Sequence, residues 1–171
     1  LIGPMLARFG KVILRHPGGD LIGRRSIDQH LDGLIQMGAR VRQDGLMNEI
    51  SGKLHGGRIY LKEASVTATE NIMMAAALME EETVVVNAAS EPHVFCLGEM
   101  LKEMGADIYG HGTNSVSIMG RKQLTGCEHW IRPDHIEAGT WSIAAAASNG
   151  RIMIHGVMEE DFWQIRRILA K

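Results

Sequence analysis

The sequence predicts an α/β fold built by repetition, on three observations. The stretch GLIQMGARVRQDG, Gly33 to Gly45, returns in altered form as EMLKEMGADIYGHG, Glu99 to Gly112, so that Gly38 matches Gly105 at an offset of 67 residues. A second pair echoes it: TENIMMAAA from Thr69, followed by TVVVNA from Thr83, against GTWSIAAA from Gly139, followed by RIMIHG from Arg151. Between these stretches, helical and strand-like hydrophobic periodicities alternate, punctuated by glycine. A shared spacing in two places means that one supersecondary unit is reused, and alternating helices and strands with one core define the class.

Each element follows from its pattern. Pro4 to Phe9 reads as the end of a helix feeding the strand Val12-Ile13-Leu14. Apolar residues at Ile27, Leu31, Leu34 and Ile35 mark the next helix, and Val94, Leu97, Leu101 and Met104 mark its counterpart. Each of these two helices ends at Met-Gly-Ala, where glycine can take the left-handed conformation that closes a helix. Short strands follow, with glycine turns between them: Gly56 to Leu61, and Ser115 to Ile118. An Ala-rich helix from Thr69 to Met79 leads into the strand Val84-Val85-Val86, and by the repeat Arg151 to Gly156 is its strand counterpart. Phe162, Ile165, Ile168 and Leu169 begin a further helix. About two and a half units are expected, so the chain reads as a piece of a longer repeat protein.

Composition narrows the function classes. The 171 residues are 45% hydrophobic and 22% charged, enough for a core in one medium domain or parts of two. A net charge of −2 gives no general attraction to nucleic acid or anionic membrane. The longest apolar run, Ile72 to Met79, is far below the roughly 20 residues that span a bilayer. Cys96 and Cys127 share no metal-ligand spacing and are too few for a disulfide framework; inert thiols in a reducing cytoplasm are expected. The eight histidines form no ligand set of H-x-x-x-H type, so no metal is expected. Met73, Met74, Met100 and Met104, at helical spacing, read as core filler.

Three helix starts carry the capping-box pattern: Ser26-x-x-Gln29, Thr67-x-x-Glu70 and Asp134-x-x-Glu137. Taken alone each is a folding signal. Helix N-termini also offer free N–H groups and a positive dipole end to anions. Arg24-Arg25 precedes the first start and Ser65-Val66-Thr67 accompanies the second, so a phosphorylated ligand could lie across both. The loop PGGD, Pro17 to Asp20, is either a solvated turn, for which aspartate is well suited, or a working lid.

Five segments, PGGDLIGRRSIDQH, ASVTATENIMMAAAL, NAASEP, MGADIYGHGT and RPDHIEAGT, together resemble the enolpyruvyl transferases that act on UDP-N-acetylglucosamine, over essentially the whole chain and in order. The resemblance implies an inverted α/β barrel of two domains made of βαβαββ units, with substrates in the cleft between them. Residues 1–131 would be the later part of domain one and residues 132–171 the first unit of domain two. It implies transfer of the enolpyruvyl group of phosphoenolpyruvate to the sugar 3-hydroxyl, with loss of phosphate, as the opening step of peptidoglycan synthesis. No cofactor, no nucleic acid and no membrane is implied; the partners are the two small substrates and the rest of the same enzyme.

Residue by residue, the resemblance makes Asp20 the lid tip, where cysteine is usual, and the proton donor. Arg25 matches the arginine that contacts the phosphate of phosphoenolpyruvate. Ser26, Ile27, Asp28, Gln29 and His30 match the uridine-holding segment, and Ser65, Val66 and Thr67 the diphosphate-binding turn. Glu91, Asp134 and Glu137 match junction or cleft positions. Ser26, Glu63 and Ser90 depart from the family pattern, standing where proline, lysine and arginine are frequent. An aspartate is a poor acid at neutral pH, with an ordinary pKa near ~3.9, so Asp20 could donate a proton only when closure over an anionic substrate removes its water. A sister reaction on 3-phosphoshikimate and a non-catalytic nucleotide-sugar-binding module are the alternatives.

Overall fold

The computed structural model describes residues 1–15 and 26–170, which form two compact units, Leu1–His129 and Trp130–Lys171. In the first, helix α1 (Ile2–Phe9), strand β1 (Lys11–Arg15), helix α2 (Asp28–Gln36) and strands β2 (Arg40–Asp44) and β3 (Met47–Ser51) come first. They are followed by β4 (Gly57–Tyr60), α3 (Val66–Ala76), β5 (Thr83–Val86), α4 (Pro92–Glu103), β6 (Asp107–Tyr109) and β7 (Ser115–Met119). The series helix, strand, helix, strand, strand thus occurs twice.

Sheet topology repeats with it. β1, β3 and β2 form one antiparallel sheet in the order β1-β3-β2; the second sheet runs β4-β5-β7-β6, with its last three strands in the same first-third-second order. β4 is the addition, pairing parallel to β5. Alternation fixes which faces are buried: Thr83 and Val85 of β5 turn inward opposite Ile118 and Val116 of β7, and Ile108 of β6 meets Ile118.

The helix ends follow the expected chemistry. After α2, Gly38 has φ +98°, its N–H donates to Ile35 O at 2.9 Å, and Ala39 N donates to Leu34 O at 2.9 Å. After α4, Gly105 has φ +108°, and the same bonds run from Gly105 N to Lys102 O at 2.9 Å and from Ala106 N to Leu101 O at 3.0 Å. Both are Schellman closures with a buried Leu–Ala contact.

α3 is the central helix. Its alanines, Ile72 and Met73 are fully buried, and it packs against α1, α2 and α4. Close approach needs glycine on the partners: a Cβ at Gly3 would stand 2.2 Å from Asn71 O, and one at Gly33 would stand 2.7 Å from Ile72 Cδ1. Of the four expected filler methionines, Met73 is fully buried, while Met74 and Met104 pack against the core edge and Met100 is half-buried.

Three expectations are corrected. The Ala-rich helix runs Val66–Ala76, earlier than Thr69 to Met79, because Ser65 rather than Thr67 caps it: Ser65 Oγ accepts from Ala68 N at 3.4 Å. Glu70 therefore sits in the second turn and completes no capping box. At α2, the helix opens at Asp28, and Ser26 Oγ accepts from Asp28 N at 3.0 Å, while Gln29 turns away to bond elsewhere, so this box is absent too. Residues 151–156 form no strand, because no neighbouring strand among the described residues supplies the ladder that β5 receives from β4 and β7.

The second unit contains α5 (His135–Ala147) and α6 (Glu159–Leu169). Asp134 caps α5 through Oδ1, which accepts from Ile136 N at 2.8 Å and Glu137 N at 3.2 Å. Arg132 ties this cap to α6 through Glu160 at 2.8 Å and Asp161 at 3.3 Å. Gly139 lets α6 approach, with Ile165 Cδ1 2.4 Å from where a Cβ would be.

Candidate functional site

Of the residues singled out in sequence, Ser26–His30 and Ser65–Thr67 fall at the starts of α2 and α3, which lie side by side. Thr67 Oγ1 is 3.3 Å from His30 Nε2, joining the first turns of the two helices. Gln29 Oε1 accepts from Lys62 N at 3.2 Å, so the connection from β4 to α3 runs along the start of α2. Lys62 Nζ is paired with Asp32, one turn further along α2, and this holds the Lys62 ammonium above its usual pKa. At the far end of α2, Gln36 clamps Tyr60 from both sides, accepting from its N–H at 2.8 Å and donating to its carbonyl at 3.0 Å. The segment Ser26–His30 is thus brought against Ser65–Thr67 by hydrogen bonds on both flanks.

The local chemistry suits an anion. The first N–H groups of a helix have no intrahelical acceptor, and two such starts converge here with their positive dipole ends. At α3 the turn is braced from behind: Thr69 Oγ1 donates to Ser65 O at 2.8 Å and accepts from Ala89 N at 3.0 Å. Burial pushes the His30 imidazole below its usual pKa, keeping it neutral at pH 7. An apolar cleft of about 590 Å³, lined by Val12, Leu14, Ile27 and His30 among others, opens beside the start of α2.

Glu91 caps nothing through its side chain, although it is the N-cap residue of α4. Its Oε2 is buried without a hydrogen-bond partner. Burial raises the carboxyl pKa of Glu70, and the nearby Glu91 charge raises it further against the opposing effect of His93. This carboxyl pair was not legible in sequence, where Glu70 read as a capping residue; its position five residues after the true cap, on the face toward α4, is the signal that a correct helix start would have exposed.

Asp134 and Glu137 lie in the second unit, at the start of α5, where Asp134 acts as the helix cap. Asp20 and Arg25 lie outside the described residues. Among the described residues, no group of three or more His, Cys, Asp or Glu is placed to hold a metal ion, and no helix is long and apolar enough to cross a membrane.

Comparison with known proteins gives consistent findings. The sequence model of the family EPSP synthase (3-phosphoshikimate 1-carboxyvinyltransferase) matches residues 1–171. The chain is 49% identical over 169 residues to a UDP-N-acetylglucosamine 1-carboxyvinyltransferase of Treponema denticola, covering 99% of this chain and 40% of that protein. It is 46% identical to UDP-N-acetylglucosamine 1-carboxyvinyltransferase 1 of Halalkalibacterium halodurans, covering 100% and 39%. The chain therefore spans about 40% of the length of such relatives. Among solved structures, the enolpyruvyl transferase NikO of Streptomyces tendae superposes with a TM-score of 0.68 at 19% identity, over 83% of this chain and 35% of that one. EPSP synthase of Acinetobacter baumannii superposes with a TM-score of 0.63 at 25% identity, over 85% and 33%.

Proposed function

Because the chain belongs to the EPSP synthase family of carboxyvinyltransferases, we propose that it is part of an enzyme that transfers the enolpyruvyl group of phosphoenolpyruvate to the 3-hydroxyl of UDP-N-acetylglucosamine, serving peptidoglycan synthesis in the cytoplasm. The observation that carries this reading is the contact between His30 and Thr67, which makes one anion-binding edge from two helix starts. In this reading Ser26, Ile27, Asp28, Gln29 and His30 hold the uridine, and Ser65, Val66 and Thr67 hold the diphosphate on the free amides of α3. The exposed Glu63 brings no cation to that diphosphate, and Lys62 beside it is engaged by Asp32; the backbone amides carry the binding.

The chemistry is addition followed by elimination. The sugar hydroxyl adds to C2 of phosphoenolpyruvate while C3 receives a proton, and phosphate then leaves. Asp20 supplies that proton once closure has desolvated it, and Arg25 holds the phosphate. By the family resemblance, residues 1–131 belong to the first domain and residues 132–171 to the second, and Glu91, Asp134 and Glu137 match junction or cleft positions.

The sister reaction on 3-phosphoshikimate is favoured by the family description and by the EPSP synthase superposition. Against it stands the identity of 49% to a UDP-N-acetylglucosamine enzyme, compared with 25% to the EPSP synthase structure. Amide chemical shifts test the binding site: UDP-N-acetylglucosamine should move Val66, Thr67 and His30 of the full-length protein, and shikimate 3-phosphate should leave them in place. The reverse pattern would support the sister reaction.

A further inference from the structure

Cys96, His129 and Glu103 form a connected line away from the proposed substrate site. Cys96 Sγ lies 3.2 Å from His129 Nε2, and His129 Nδ1 lies 2.9 Å from Glu103 Oε2. Cys96 and Glu103 are seven residues apart, two turns of α4 and hence on one face. His129 arrives from the segment after β7, which is pinned to the end of α4 by Thr125 N donating to Met104 O at 2.9 Å. The thiol residue is 8% exposed and the imidazole 9%, while the Glu103 carboxylate reaches water at 46%.

We propose that this Cys96–His129–Glu103 line is a peroxide-reactive thiol site, at which a small hydroperoxide oxidises Cys96 reversibly to the sulfenic acid. Glu103 fixes the proton of His129 on Nδ1 and stabilises the imidazolium, whose Nε2–H then faces the sulfur. A thiolate is the reactive form of cysteine, and an adjacent imidazolium favours it. The pKa of His129 is raised by its bonds to Cys96 first and Glu103 second, as such a pair requires. Other charges nearby are already neutralised: Glu99 by Lys102 and His111 on α4's own side, and Asp107 of β6 by Arg121. On α3, Glu70 faces His93 and the like-charged Glu91, and burial holds its carboxyl pKa above the usual value.

The step balances. The thiolate sulfur attacks one peroxide oxygen, the O–O bond breaks, and the departing hydroxide takes the Nε2 proton of His129 and leaves as water. Sulfur loses two electrons and the peroxide gains them; a cellular thiol can reverse the change through a mixed disulfide. An oxygen inserted between Sγ and Nε2 cannot fit the 3.2 Å contact, so oxidation also loosens the 125–129 segment from α4.

Cys127 provides an internal control, since it is more exposed than Cys96. The intact protein is treated with hydrogen peroxide at pH 6.5, quenched into dimedone with denaturant, and mapped by peptide mass; a parallel sample receives a bulky maleimide. The expected result is an inversion. The maleimide labels Cys127 first, whereas peroxide oxidises Cys96 at least tenfold faster than Cys127, and His129→Gln removes that advantage. Oxidation of Cys127 first, or an unchanged Cys96 rate in His129→Gln, overturns the proposal. Should that variant not fold, Glu103→Gln on the exposed end of the line decides: a Cys96 oxidation rate reduced severalfold toward that of Cys127 sustains the proposal, and an unchanged rate refutes it.

Discussion

Thr67 Oγ1 stands 3.3 Å from His30 Nε2, 37 residues away in sequence, and the pair locks two helix starts into one edge. Thr67→Ala and His30→Ala should each weaken binding of UDP-N-acetylglucosamine to the full-length protein. Their double-mutant cycle should show a coupling of about 0.5–1.5 kcal/mol, the usual worth of a neutral hydrogen bond. Calorimetric titration of the four proteins measures it, and strictly additive losses would separate the two residues.

The same histidine gives a pH dependence with a definite sign. Burial lowers the folded pKa of His30, so between that value and its unfolded pKa near ~6.5 the unfolded chain binds more protons. Stability from this group is therefore fully present above about pH 6.5 and is lost as pH falls through the folded pKa. His30→Gln should flatten the acid limb of thermal stability below about pH 6.5, which melting curves at stepped pH would register. Glu70 runs in the opposite sense: its raised folded pKa costs stability as pH rises above its unfolded value, so Glu70→Gln should raise the melting temperature at pH 7.

Gly38 and Gly105 occupy the same place in the repeat but differ in surroundings. A Cβ on Gly105 meets nothing within 4 Å, whereas one on Gly38 would lie 2.8 Å from His55 Cδ2 and 3.2 Å from Lys53 O. Gly105→Ala should cost about 1–2 kcal/mol, from the left-handed backbone alone. Gly38→Ala should cost more, and the difference in denaturation midpoint between the two variants checks the steric share.

Gly33 tests the packing of α2 on α3. Gly33→Ala drives a methyl group to 2.7 Å from Cδ1 of the fully buried Ile72, and overpacking of this kind costs about 1–3 kcal/mol. Ile72→Val removes the clashing carbon. The double variant should be more stable than the sum of the single losses, as read from urea unfolding.

Much of this architecture is written in the sequence. The Met-Gly-Ala pairs announce two identical helix closures because only a left-handed residue completes them, and the 67-residue offset announces the repeated sheet. Helix starts were less legible. Ser65 and Thr67 are both good caps two residues apart, and what decides between them is that Ser65 Oγ accepts from Ala68 N while Thr69 N donates to Ser65 O. The bonds from Gln29 to Lys62 and from His129 to Cys96 span 33 residues each, and local patterning carries no trace of such pairs. Arg151 to Gly156 shows the converse: its composition repeats a strand, yet a strand exists only where a partner strand pairs with it.

Under the proposed function, the residue at position 20 separates two chemistries. A carboxylate can carry a proton but is a far weaker nucleophile than a thiolate, so the full-length enzyme with Asp20 should turn over and resist the epoxide fosfomycin. Asp20→Cys should become sensitive, and Asp20→Asn, which keeps shape but cannot donate as an acid, should lose most turnover. Arg25→Ala should raise the requirement for phosphoenolpyruvate by roughly 10- to 150-fold, the equivalent of about 1.5–3 kcal/mol for a charge-assisted contact, with UDP-sugar binding little changed. Steady-state kinetics with and without fosfomycin would distinguish these outcomes; near-normal turnover by Asp20→Asn would make Asp20 a turn residue only.

The central claim concerns the acceptor. Phosphate release from phosphoenolpyruvate by the full-length protein, measured in parallel with UDP-N-acetylglucosamine and with shikimate 3-phosphate, tests it most directly. Release is expected with the UDP-sugar alone, and should be lost when the helix-start edge is broken by the paired His30→Ala and Thr67→Ala changes. Release with shikimate 3-phosphate instead, or with neither acceptor, would contradict it.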